Sequence, residues 1–100
     1  MIIAMLLLLL KVTPAHCFEP CTIRYSITIA APETARTICI RLDSDSFGRF
    51  SCWPASGRTV EETTIKDVPA NTYYAVAAVQ RSNGLVERSP EYTINVLSSR

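Results

Sequence analysis

The stretch Thr22-Ile23-Arg24-Tyr25-Ser26-Ile27-Thr28-Ile29 alternates without a break, so that Ile23, Tyr25, Ile27 and Ile29 share one face and Thr22, Arg24, Ser26 and Thr28 the other. A period of two marks a half-buried strand. Ala30-Ala31-Pro32-Glu33 ends it, because proline has no N–H to give a ladder and biases its predecessor away from helix. The run Thr37 to Leu42 alternates again, with Ile38, Ile40 and Leu42 inward and Cys39 and Arg41 outward. Turn formers follow in Asp43-Ser44-Asp45-Ser46-Phe47-Gly48, then a fresh run, Arg49-Phe50-Ser51-Cys52-Trp53. Three more runs, Thr59 to Val68, Tyr73 to Val79 and Tyr92 to Val96, are separated by turn signals that include Arg81-Ser82-Asn83-Gly84. Six short strands at near-regular spacing predict an all-β, antiparallel sandwich.

The two ends change the picture. Ile2 to Leu10 is an unbroken run of nine apolar residues, too short to span a bilayer, which takes about 20. It has the length of an export leader's apolar core, and Thr13-Pro14-Ala15 offers small residues for cleavage after Ala15. The expected division is therefore a signal peptide over 1–15, a short segment over 16–21, the sandwich over 22–97 and a tail over 98–100. The end of the chain, Asn95 to Arg100, is polar and resembles neither a membrane span nor a lipid-anchor tail.

The whole chain carries 10 basic and 9 acidic residues. Loss of Lys11 with the leader would leave the two signs in balance, so charge gives no case for nucleic acid or an anionic membrane as partner.

Four cysteines lie beyond the leader, at 17, 21, 39 and 52. In a small exported domain they read as two disulfides, with three connectivities open. If the second and third runs form a hairpin with Cys39 opposite Cys52, paired residue numbers sum to 91, so Arg41 faces Phe50 and Ile38 faces Trp53. That bridge closes a loop of about 14 residues, worth about 3 kcal/mol in the chain-entropy model, and leaves Cys17 for Cys21. The alternative gives Cys21, which shares a face with Ile23 and Tyr25, a partner in the core. A zinc site is disfavoured because Cys39 and Cys52 do not make a second tight pair beside Cys17 and Cys21.

No reaction is legible. His16 is the single histidine and falls at the expected new end of the chain, so no Ser/His or Cys/His pair can be assembled around it. Asp43 and Asp45 read as turn formers, since the bidentate acid of a calcium loop is missing where Cys52, Trp53 and Pro54 stand. Glu61 and Glu62 read as a solvated pair on a strand. The expectation is a non-enzyme without a cofactor or metal.

Val68-Pro69-Ala70-Asn71-Thr72-Tyr73-Tyr74, followed by the apolar run Ala75 to Val79, resembles the corner of fibronectin type III domains, where Leu-x-Pro-x-Thr-x-Tyr leads into a strand. Counted from Val68 at the leucine position, Thr72 takes the threonine place and Tyr74 that of the buried corner tyrosine, with Tyr73 turned outward. Ser82-Asn83-Gly84 resembles the loop before the family's last strand, and Ser89-Pro90 the entry to that strand. The resemblance implies an immunoglobulin-like sandwich.

Nothing between His16 and Cys21 is long enough for a first strand. The sandwich is thus expected to lack it and to leave a sheet edge open. What the resemblance implies for function is secreted protein recognition, through loops or that open edge. The candidate loop comprises Arg81, Asn83, Gly84, Leu85, Val86 and Arg88, with Leu85 and Val86 as an apolar anchor inside a charged rim. The competing expectation is a disulfide-stapled inhibitor that presents Pro54 to Arg58.

Overall fold

The computed structural model describes residues 8–99. These form β1 (Leu8–Thr13), β2 (His16–Phe18), β3 (Cys21–Ile29), β4 (Ala35–Asp43), β5 (Gly48–Pro54), β6 (Val60–Val68), β7 (Asn71–Arg81), β8 (Val86–Arg88) and β9 (Tyr92–Leu97), with one 3-10 turn at Pro32–Thr34. One sheet runs β1-β3-β6 and the other β2-β9-β7-β4-β5, with β8 paired to β7. β8 and β9 occupy successive stretches of the same side of β7. The break between them falls at Pro90, which has no N–H to donate; there the buried Ser89 hydroxyl accepts from Ala77 N at 2.9 Å.

The all-β sandwich follows from the alternation. Ile23, Tyr25, Ile27 and Ile29 of β3 face Ile38, Ile40 and Leu42 of β4 and Tyr73, Ala75, Ala77 and Val79 of β7 across one shared core. Tyr25 also ties the layers together, its hydroxyl donating to the Arg41 carbonyl oxygen at 2.7 Å. The hairpin register is the one expected, with Cys39 facing Cys52, Arg41 facing Phe50 and Ile38 facing Trp53. The disulfides join Cys39 to Cys52 and Cys17 to Cys21. The second links β2 in one sheet to β3 in the other.

Three features depart from the sequence reading. Residues 1–7 of the expected leader lie outside the described residues, but its remainder forms β1, which pairs antiparallel with β3 from Leu8↔Ile29 to Thr13↔Arg24. Leu8 and Leu10 are buried and Leu9 points to solvent. A first strand is therefore present, and β3 is flanked by β1 on one side and by β6 on the other. In an all-leucine run the two faces carry the same residue type, so no alternation is visible in the sequence.

The second departure is that β2 runs parallel to β9, His16 to Phe18 lying along Asn95 to Leu97, in a fold whose other pairings are antiparallel. The chain thus switches sheets between β1 and β2.

The third concerns the corner. Tyr73 is fully buried and Tyr74 is 45% exposed, so the anchor is Tyr73, and the assignment of Tyr74 is corrected. The reason lies in β6. A register shift in its pairing with β3 brings Ile65 and Val68, three positions apart, to the same buried face, with Asp67 in the left-handed region at φ 59. Such an irregularity resets the parity, so a count that starts at Val68 ends one residue late. The pattern's proline-to-tyrosine spacing is met by Pro69 and Tyr73 instead.

Candidate recognition surface

The β7–β8 hairpin is built by its backbone. Gly84 N donates to the Arg81 carbonyl oxygen at 2.9 Å, and Arg81 N donates to that of Leu85 at 2.8 Å. Gly84 sits at φ +91 with open space where a side chain would go, so its role is conformational. Asn83 Oδ1 accepts from Leu85 N at 3.0 Å. These contacts set Leu85 and Val86 on the surface, 60% and 56% exposed.

Arg81 is not part of that surface. Its side chain is only 7% exposed and its Nη2 lies 2.8 Å from Glu87 Oε1. Nη1 donates to the Ala31 carbonyl oxygen at 2.7 Å and to Thr34 Oγ1 at 3.0 Å. The guanidinium thereby joins the hairpin to the loop that follows β3. Its placement in a binding rim is corrected: three separate partners consume its donors, and none of them is near in sequence except Glu87.

Val86 continues into a patch that the sequence did not reveal as a site. On the outward face of the larger sheet, Val76 and Ala78 of β7 lie between Val86 on β8 and the Cys39–Cys52 bridge, with Phe50 beyond on β5. They border an open cavity of about 230 Å³ that also includes Arg41 and Arg88. Phe50 is 64% exposed, and the Arg41 guanidinium stands 5.3 Å from its ring centroid. The signal was present in Tyr73 to Val79, which is apolar at both parities: a strand apolar on both faces has both faces covered or leaves one adhesive.

Two arginines flank this patch, with Asp43 beside one of them. Arg88 is exposed, and Arg41 has only a long 3.6 Å contact to Asp43 with both side chains about half exposed (54% and 48%). Such a pair contributes little. No carboxylate borders the cavity itself.

At the other end of the larger sheet, structural needs use up the candidate polar residues. Tyr73 Oη donates to the Pro69 carbonyl oxygen at 2.7 Å, and the Phe47 ring meets the Tyr73 ring edge-on at 5.6 Å. Asn71 Nδ2 donates to Asp45 Oδ1 at 2.9 Å and lies within reach of the Ser44 and Ser46 hydroxyls, so the β4–β5 turn is tied to the corner. Thr72 faces solvent, its hydroxyl donating to Asn95 Oδ1 at 3.1 Å.

The loop Pro54 to Arg58 is held from within. Ala55 N donates to the Arg36 carbonyl oxygen at 2.9 Å, and Glu61 accepts from Ser56 N, Ser56 Oγ and Trp53 Nε1. Desolvation would raise the Glu61 pKa, but these hydrogen bonds and the Arg58 charge outweigh it and hold the carboxyl below the usual glutamate range. The sole flanking disulfide is on the Cys52 side.

No known family's sequence model matches this chain, and no curated protein matches it. The reading of its function therefore rests on the surfaces just described. His16 lies exposed in β2, and among the described residues no three His, Cys, Asp or Glu side chains gather as metal ligands would.

Proposed function

We propose that this chain is a secreted protein-recognition module of fibronectin type III-like architecture, acting through the β7–β8 hairpin and the adjoining outer face of the larger sheet. The observation that carries this reading is that exposed Val86 and Phe50 line one cavity together with Val76 and Ala78, with exposed Leu85 next to Val86 in the hairpin. Contiguous apolar surface rimmed by polar groups is the usual mark of a protein contact, whereas scattered apolar residues are not. Two disulfides suit an oxidising compartment, and no described helix is long and apolar enough to cross a membrane. The corner of Pro69 and Tyr73 supports the family resemblance, with the tyrosine one position earlier than the count from Val68 gives.

The test is affinity capture from extracellular fluid on the immobilised, disulfide-intact protein. Phe50→Ser and the double variant Leu85→Ser/Val86→Ser are expected to lose the captured partner while melting within a few degrees of the parent. Equal recovery by the parent and both variants would remove this surface from the proposal.

A further inference from the structure

We infer that the cavity on the outer face of the larger sheet takes an acidic peptide segment, seating one apolar side chain between Val86, Val76, Ala78 and Phe50 and placing carboxylates against Arg41 and Arg88. This rests on the recognition reading above and specifies its partner chemistry.

Size and charge select the occupant. At about 230 Å³ the cavity is open to solvent and smaller than the roughly 300 Å³ at which small-molecule pockets begin. It suits a single side chain delivered by a longer chain. Apart from the two arginines the lining is apolar, with Cys39 and Ile40 on β4, Phe50 on β5, Val76 and Ala78 on β7 and Val86 on β8, so the inserted group is aliphatic or aromatic.

The rim is cationic on two sides. Arg41 stands beside the Phe50 ring with only a long 3.6 Å contact from its Nε to Asp43, and Arg88 stands across the cavity with no carboxylate among the lining residues. Guanidinium forks match carboxylates in a bidentate geometry. A second copy docked face to face through this patch would bring four guanidiniums together around an apolar centre. Like charges so placed oppose association. Nucleic acid is disfavoured because the chain's net charge is only +1.

The probe is a short fluorescent peptide with a central leucine flanked by glutamates, titrated into the full disulfide-bonded protein and read by anisotropy. Counterparts carry glutamine or lysine in place of glutamate. The glutamate peptide is expected to bind, to weaken about tenfold in Arg88→Gln and by a similar factor in Arg41→Gln, and to weaken further with added salt. Val86→Ser is expected to weaken it through the apolar seat. All three substitutions are at exposed or rim positions, and thermal unfolding checks that each variant keeps its fold.

Equal binding of the glutamine peptide, unchanged affinity in both arginine variants, or no binding of any peptide overturns the inference. So does concentration-dependent dimerisation in the ultracentrifuge that Val86→Ser abolishes, because the occupant is then a second copy. Failure here and failure of the recognition reading are separable. If no acidic peptide binds but the captured extracellular partner is still lost in Leu85→Ser/Val86→Ser, the recognition surface stands and its acidic chemistry falls.

Discussion

The Tyr73 hydroxyl donates to the carbonyl oxygen of Pro69, four residues upstream, at 2.7 Å. The same ring is fully buried under Phe47, so one side chain fixes the bend between β6 and β7 and also supports the β4–β5 turn.

Tyr73→Phe is expected to cost about 1 to 2 kcal/mol, because it removes the donor and leaves the Pro69 carbonyl without its partner. Tyr73→Ala should cost about 3 to 5 kcal/mol through the cavity left behind. Tyr74→Ser, on the solvent side, is expected to stay within about 0.5 kcal/mol. Urea unfolding of the three variants checks this ordering, and a larger effect at position 74 than at position 73 would reverse the corner assignment.

A chain begun at His16 lacks the leucines of β1 that fill the core above Ile27 and Ile29. It is expected to unfold at markedly lower urea than the full chain. A finer comparison separates packing from mere length. Leu10→Ala should cost about 2 to 4 kcal/mol, and Leu9→Ala, at a position 52% exposed, close to nothing. Equal midpoints for Leu9→Ala and Leu10→Ala would show that β1 does not contribute to the core.

Arg81→Met keeps the stem of the side chain and removes the guanidinium from Glu87, Ala31 and Thr34. The expected cost is about 2 to 3 kcal/mol, below that of a fully buried pair because Glu87 remains 19% exposed. Arg88→Met should be neutral to stability within about 0.5 kcal/mol. Thermal unfolding distinguishes them: a strut at 81 predicts a large drop in Tm there alone.

Alkaline pH should unfold the protein through its buried phenols. Burial first, then the charge of Asp43, pushes the Tyr25 hydroxyl far above the ordinary tyrosine value. Burial, then Glu19 and Asp45, raises Tyr73 as well. Below about pH 10 both folded and unfolded chains hold these protons and the contribution is fully present. As pH rises further the unfolded chain ionises first, so stability falls. The urea midpoint is expected to decline above pH 10, and less steeply in Tyr25→Phe; identical slopes in the parent and in that variant would exclude Tyr25 as a cause. Glu61 acts in the opposite direction, its contribution being present above the ordinary glutamate value and lost as the pH falls through its lower folded value.

The strands that alternate cleanly were legible from the order of polar and apolar residues alone. β3 and β4 place apolar and polar residues on opposite faces, and one of the three open cysteine connectivities, Cys39 with Cys52, gave the hairpin register that the fold shows. What stayed hidden has physical causes. A run of leucines carries no parity, so β1 could not be told from a leader by pattern. The irregularity at Asp67 shifts the count by one and moves the anchor from Tyr74 to Tyr73. Arg81 looks like a solvated loop cation until the fold brings Ala31 and Thr34, about 50 positions earlier in the chain, against it. The outer patch was hidden for a related reason: Phe50, Val76 and Val86 are far apart in sequence and meet only when β5, β4, β7 and β8 lie side by side.

The short parallel ladder between β2 and β9 determines how this molecule would respond to mechanical tension. A load drawn through the segment before β2 and out through the end of β9 pulls two parallel strands in opposite directions along their length, so their hydrogen bonds bear the shear together. Antiparallel hairpins such as β4–β5, loaded at their open ends, would instead unzip bond by bond. The Cys17–Cys21 bridge ties β2, within that ladder, to β3 of the other sheet, so tension that reaches the ladder is shared between the two layers.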